Sequence, residues 1–73
     1  MNRADVHIAH AKARLLRLPE VRHLTGLPTS SLYALMQSGR FPRPVRLTKR
    51  SVAWNEILVM EWISARLAAD DAA

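Results

Sequence analysis

The spacing of hydrophobic and polar positions along this 73-residue chain predicts a strand followed by a short helix. Leu15–Leu18, read as LLRL, alternates well enough for a short strand. Pro19 suits the first position of the helix that follows, and Val21 and Leu24 are spaced to share its buried side. Gly26 is expected to end this helix, because it adopts the left-handed conformation that helix ends require at little cost.

A second helical pattern begins around Thr29 and ends at Gly39. Its first residues, TSS, are capable of capping a helix or filling its first turn. Leu32, Leu35 and Met36 recur at the i, i+3, i+4 spacing, so they are expected to share one buried face. The pattern predicts a helix over residues 29–38.

The remaining pattern predicts a β-hairpin and a last helix. The stretch FPRPVRL holds two prolines two residues apart, which excludes a helix. We expect one strand over Val45–Leu47, a basic turn over Thr48–Arg50 and a second strand over Ser51–Trp54. Asn55 is a credible N-cap for a final helix over residues 56–68.

The order of these elements is that of a helix-turn-helix followed by a wing. In such a motif two short helices cross steeply, so the residues that meet at the crossing fall at fixed offsets from the turn glycine, Gly26. One departure is Arg22, since the residue four before the glycine is usually small. The offsets predict buried positions at Val21, Thr25, Leu27, Leu32 and Leu35.

The outward side of the second helix carries small polar groups and one tyrosine. Such groups hydrogen-bond to base edges and phosphates, and an alanine packs against a thymine methyl group. A merely solvated polar face would explain the serines equally well, but it gives no reason for Tyr33. The candidate recognition residues are Thr29, Ser30, Ser31, Tyr33, Ala34 and Gln37.

The net charge of +5 is concentrated in the middle of the chain. Residues 40–50 hold five basic residues and no acidic one, whereas residues 51–73 hold four acidic residues against Arg66 alone. A concentrated basic stripe is typical of a nucleic-acid site, although a solvated basic loop has the same composition. The residues expected to contact double-stranded DNA from the wing, at its backbone or in a groove that the wing reaches, are Arg40, Arg43, Arg46, Lys49 and Arg50.

Residues 15–63 resemble the AlpA family of phage and prophage regulators, which is close to the small winged-helix excisionases. The stretches LLRLPEV, SGRFPRPVRL and RSVAW carry the resemblance. It implies a mainly α fold with a small β-hairpin, that is, a winged helix-turn-helix of the MerR and excisionase type. It also implies a DNA-binding domain that regulates transcription of integrase genes, acts as a recombination directionality factor, or does both.

The chain departs from the family pattern at several positions. Pro28 stands where the family has a serine cap. We therefore expect either that Thr29 caps the helix instead or that the first turn of the helix shifts. Thr29 and Ala34 replace residues that are commonly basic, and Thr48 and Lys49 replace wing glycines. DNA affinity is therefore expected to depend on the basic segment of residues 40–50 more than is typical of the family.

The last helix is expected to carry two apolar faces. Val59, Trp62, Ile63 and the stem of Arg66 form a face that packs with Trp54. A neighbouring face has apolar residues where the family is polar, and we expect it to mediate self-association or partner binding. The alternative is a wider core face, covered by the N-terminal arm. The self-association candidates are Ile57, Met60 and Leu67.

Several function classes find no support in the sequence. The six acidic residues are scattered and no glycine-rich phosphate loop is present, so no enzyme and no cofactor are expected. The chain has no cysteine. His7 and His10 lie three residues apart but have no third ligand nearby, and His23 falls on the first helix, so no metal is expected. No apolar run is long enough to span a membrane, and no lysine-lined amphipathic helix favours a membrane surface.

We therefore predict a flexible N-terminal arm over residues 1–14, a winged helix-turn-helix over residues 15–68 and a disordered tail over residues 69–73. The expected protein is a cytoplasmic, nucleoid-associated bacterial DNA-binding regulator or excisionase that assembles on DNA in several copies. Integrase and RNA polymerase are its candidate protein partners. The alternative is a protein–protein interaction module that uses the apolar face of the last helix. Charge and spacing alone do not separate activator from directionality factor.

Overall fold

The computed structural model describes residues 13–72. This part of the chain forms three helices and three short strands, in the order that the hydrophobic pattern predicts. Residues 1–12 of the predicted N-terminal arm lie outside the described residues, so the proposed division at residue 15 stays a prediction. The elements are β1 (Leu15–Leu16), α1 (Leu18–Thr25), α2 (Thr29–Gln37), β2 (Val45–Arg46), β3 (Val52–Asn55) and α3 (Glu56–Ala72).

The three strands form one antiparallel sheet in the order β1-β3-β2. Leu16 of β1 lies opposite Trp54, and Arg46 of β2 lies opposite Val52. The predicted hairpin is therefore confirmed as β2 and β3, and the predicted first strand joins it on the far side of β3. As a result β1 and the wing strand β2 lie at opposite edges of the sheet.

A small core joins every helix to the sheet. Trp54 is fully buried, and its indole Nε1–H donates a hydrogen bond of 3.1 Å to the carbonyl oxygen of Pro42. Because a domain of this size buries a comparatively small share of its surface, each of these side chains matters for stability. The buried core residues are Leu16, Val21, Leu32, Met36, Phe41, Ala53, Trp54 and Val59.

The first helix begins one residue earlier than predicted. Leu18 belongs to α1 and not to the strand, because Arg17 acts as the N-cap and its backbone N–H donates to Oε1 of Glu20 at 3.3 Å. The expectation that Leu24 is buried is wrong: its side chain is 40% exposed, while Val21 is fully buried. An eight-residue helix covers so little of the core that its last apolar residue remains at the surface.

The last helix begins at the predicted cap and extends past the predicted end. Oδ1 of Asn55 accepts a hydrogen bond of 2.8 Å from the backbone N–H of Ile57, which confirms the N-cap. Val59 is fully buried, and Trp62 and Ile63 are half-buried against the core. The helix continues to Ala72, four residues beyond the predicted end at residue 68.

Candidate nucleic-acid interface

The turn between α1 and α2 has the geometry of a helix-turn-helix. Gly26 has a φ of 73°, and its backbone N–H donates to the carbonyl oxygen of Arg22 at 2.8 Å. Oγ1 of Thr25 accepts a hydrogen bond of 3.2 Å from the N–H of Leu27 and so fixes the turn. All five predicted crossing positions are inside: Val21 and Leu32 are fully buried, and Thr25, Leu27 and Leu35 are half-buried.

Helix α2 presents to solvent the face that its spacing predicts. Leu32 and Met36 are buried beneath it, and Tyr33 is 44% exposed. This arrangement leaves hydroxyl, phenol and amide groups free to contact a ligand that approaches along the helix. Ser30, Tyr33, Ala34 and Gln37 are exposed, and Thr29 and Ser31 at the helix entry are half-buried.

The N-terminus of α2 has no side-chain cap. Pro28 occupies the N-cap position, and no cap hydrogen bond is formed there, so the predicted takeover of the cap by Thr29 is wrong. The first intrahelical bond is the one from the N–H of Leu32 to the carbonyl oxygen of Pro28, at 3.1 Å. The backbone N–H groups of residues 29–31 thus have no helical acceptor, and such groups favour an anion.

The segment after α2 is held in place by the last helix. Gly39 has a φ of 75°, and the N–H of Arg40 donates to the carbonyl oxygen of Leu35 at 2.8 Å. Phe41 is buried, and its ring lies edge-on to Trp62 with centroids 5.0 Å apart. The indole Nε1–H of Trp62 donates to the carbonyl oxygen of Arg40 at 2.6 Å. The exposed cation at Arg40 therefore extends from an anchored backbone.

The wing is a closed turn whose tip is basic. The N–H of Thr48 donates to the carbonyl oxygen of Ser51 at 3.2 Å, and Oγ1 of Thr48 accepts from the N–H of Arg50 at the same distance. The guanidinium of Arg46 donates to the carbonyl oxygen of Lys49 at 3.4 Å. These contacts close the turn without a glycine, although Thr48 and Lys49 stand where the family has wing glycines.

The basic residues of the wing and its approach are not neutralised by the described part of the chain. Between residues 13 and 72 the carboxylate partners of arginine are Glu20 and Glu56, which both pair with Arg14, at 3.4 and 3.1 Å. No carboxylate there pairs with the segment of residues 40–50. Its five exposed cations are Arg40, Arg43, Arg46, Lys49 and Arg50.

Arg22 is a surface cation that sequence reasoning recorded only as a departure from the motif. It is exposed and lines a groove at the helix-turn-helix turn together with Gly26 and Pro28, next to the uncapped start of α2. The sequence did carry a signal for this role, because Arg22 places a large cation where the motif usually has a small residue. Its position makes it a further candidate for a phosphate contact.

The second apolar face of α3 lies at the surface, as the sequence predicts. On this face Ile57, Met60 and Leu67 are 51%, 44% and 63% exposed, whereas Leu58, which is 45% exposed, lies on a different side of the helix. Within residues 13–72 no element covers this face. The N-terminal arm that forms the alternative cover lies mainly outside the described residues.

Residues 13–72 contain no group of three or more histidine, aspartate or glutamate side chains arranged to hold a metal ion. None of the described helices is both long enough and apolar enough to cross a membrane.

A helix-turn-helix followed by an antiparallel β-hairpin wing makes this protein a winged helix-turn-helix. The chain belongs to the family of the prophage CP4-57 regulatory protein AlpA, whose family model matches residues 14–67. It is also 46% identical over 55 residues to the uncharacterized protein ORF88 of Enterobacteria phage P4. That match spans 75% of this chain and 62% of the phage protein, less than two thirds of the relative's length.

Proposed function

We propose that this protein is a sequence-specific DNA-binding regulator of phage, prophage or mobile-element type. The observation that carries the proposal is the exposed polar face of α2 beside five cations that no described carboxylate neutralises. Membership of a phage regulatory family supports the same reading. The protein would act as a transcriptional regulator, as a recombination directionality factor (excisionase), or as both.

In this proposal α2 lies in a major groove of double-stranded DNA. Ser30, Tyr33 and Gln37 are nearest the bases, because they lie on the outward face, and Ala34 packs against an apolar base edge. Thr29 and Ser31 contact the sugar–phosphate backbone at the helix entry, where the free N–H groups also favour a phosphate.

The wing and its approach supply most of the binding energy. Lys49 and Arg50 at the wing tip reach an adjacent minor groove or the backbone, and Arg40, Arg43 and Arg46 position the domain on phosphates. Because α2 itself carries no cation, phosphates are neutralised mainly by these side chains, with Arg22 as a further candidate. Affinity should therefore fall steeply as salt is raised.

Several copies are needed for useful specificity, because one such module covers only a few base pairs. The exposed face of Ile57, Met60 and Leu67 is the candidate surface for self-association or cooperative loading. A directionality factor would bend DNA and meet integrase, whereas an activator would contact RNA polymerase.

The test is a mobility-shift titration against DNA that flanks this protein's own gene, at two salt concentrations, with a circularly permuted probe. Stepwise, salt-sensitive shifts with bending support an excisionase-like factor that loads cooperatively. A single unbent, sequence-specific shift favours a plain transcriptional regulator. Binding no stronger than to bulk competitor DNA contradicts the proposal.

A second candidate function is a protein–protein interaction module on the same scaffold. The exposed apolar face of α3 favours it, because Ile57, Met60 and Leu67 are 51%, 44% and 63% exposed on one side of a single helix. Such binding would be nearly indifferent to salt, whereas binding through the basic segment would not, so the same titration separates the two functions.

A further inference from the structure

A groove of about 300 Å³ lies between α2 and the segment that leads into β2. Tyr33 and Gln37 line it from the outward side of the helix, and Arg43 and Pro44 line it from the chain that returns beside the helix. Met36 completes the lining and is only 4% exposed. The groove thus combines an apolar surface with three polar groups of different chemistry.

The polar groups of this groove are not used by the described part of the protein. Among residues 13–72, the phenol of Tyr33, the amide of Gln37 and the guanidinium of Arg43 make no side-chain hydrogen bond and no ion pair. Arg46 and Arg66 differ, since Arg46 bonds to the wing and Arg66 stacks on Trp62 at 4.7 Å. An apolar slot with a few convergent, available polar groups is the usual design of a binding site.

We propose that this groove receives the C5 methyl group of a thymine in the major groove, and that it makes an A·T base pair a required part of the target sequence. The inference rests on the proposed function and names the base pair that the outward face of α2 reads. Tyr33, Met36 and Pro44 contact the methyl group, Gln37 bonds to an adenine edge, and Arg43 holds a flanking phosphate.

The chemistry of the groove matches this occupant in two ways. Among the four bases, thymine alone presents an apolar group on its major-groove edge, and that group suits the surface of Met36 and Pro44. The amide of Gln37 matches the donor and acceptor pair of adenine at N6 and N7. A site for phosphate alone would need only Arg43 and would leave the apolar surface without a role.

The experiment begins with selection of duplexes from a random library by the whole protein. Each thymine of the selected sequence is then replaced singly by deoxyuridine, which removes the methyl group and keeps the base pairing. One position is expected to lose about fourfold in affinity, the effect of one buried methyl group. At the A·T pair that Gln37 reads, Gln37→Ala is expected to lose about tenfold in discrimination.

Three variants assign the methyl effect to the groove. Tyr33→Ala removes a wall of the groove and should abolish the deoxyuridine penalty, whereas Tyr33→Phe keeps the wall and should retain it. Ser30→Ala is the control within the recognition face: Ser30 does not line the groove, so this variant is expected to lose overall affinity but to keep the full deoxyuridine penalty. Thermal unfolding of each variant checks that these exposed substitutions leave the fold intact.

The inference and the proposed function fail separately. Selected sequences without a thymine whose methyl group matters, or a penalty that survives in Tyr33→Ala, overturn the inference while specific DNA binding stands. Salt-dependent binding without base preference also overturns it. Absence of salt-dependent DNA binding overturns both.

Discussion

The indole of Trp62 donates a 2.6 Å hydrogen bond to the carbonyl oxygen of Arg40, and this bond joins the last helix to the loop between α2 and the wing. The same indole packs edge-on to Phe41 and lies 4.7 Å beneath the guanidinium of Arg66. The backbone from which the basic segment extends is therefore fixed by a residue 22 positions away.

Trp62→Phe is expected to destabilise the fold by about 1 kcal/mol, because it removes the hydrogen bond to Arg40 and keeps an aromatic ring against Phe41. In a domain of this size that loss lowers the melting temperature by roughly 4–8 °C. DNA affinity should also fall, since Arg40 loses its anchor. Thermal unfolding and a binding titration measure the two effects.

Arg66→Gln is the control for this variant. It removes the stacked cation, at a cost of about 0.5–1 kcal/mol, but leaves the bond between Trp62 and Arg40 in place. DNA affinity should then fall less than in Trp62→Phe. Equal loss of affinity in both variants would show that the bond to Arg40 does not position the basic segment.

The sequence predicts correctly those features of the fold that depend on residues close together in the chain. The turn at Gly26, the buried face of Leu32 and Met36 and the cap at Asn55 depend on a few neighbouring residues, so their spacing predicts them correctly. The exposure of Leu24 depends on which tertiary neighbours cover a short helix, and the hydrophobic spacing does not determine those neighbours.

In the candidate site, too, the local features were predicted and the tertiary ones were not. The outward face of α2 follows from helical periodicity, so its exposed residues were predicted. The groove beside it was not, because the path of a proline-containing loop brings Arg43 to the groove that Tyr33 also lines, and no local pattern encodes that path. The contact between Trp62 and Arg40 is likewise a tertiary contact without a periodic signal.

Gly26→Ala and Gly39→Ala are each expected to cost about 1–2 kcal/mol of unfolding free energy. Both glycines have a positive φ, of 73° and 75°, and a Cβ atom added at either meets no atom within 4 Å. The cost is therefore backbone strain alone. Urea unfolding measures it, and asparagine at the same positions should cost less, because it tolerates this conformation better. Asparagine and alanine variants of equal stability would contradict this account.

Lys49→Ala combined with Arg50→Ala is expected to weaken DNA binding and to reduce the slope of log affinity against log salt by about 2, one unit for each lost phosphate contact. Titrations at several salt concentrations give the slope. Arg17→Ala is the control: it removes one exposed cation beside β1, at the sheet edge opposite the wing, and should leave the slope unchanged. If the double variant kept the affinity and slope of the parent protein, the wing tip would have no role in DNA binding.

Ile57→Gln combined with Leu67→Gln tests the apolar face of α3. Both side chains are more than half exposed, so the fold should change in stability by less than about 0.5 kcal/mol. Self-association at high micromolar concentration, measured by sedimentation velocity, should weaken, and stepwise loading on DNA should lose its cooperativity. Both effects follow because the substitution replaces apolar contact area with hydrated amides.

Ala65→Gln serves as the control for this face, because residue 65 is exposed on the side of the helix away from Leu67. It adds the same amide and should leave association and loading unchanged. A parent protein that is monomeric in solution yet loads cooperatively on DNA, with cooperativity lost only in the double variant, would limit the interface to copies already on DNA. If the parent and the double variant load identically and both stay monomeric, the face has no role in assembly, and DNA binding must gain its specificity from α2 and the wing alone.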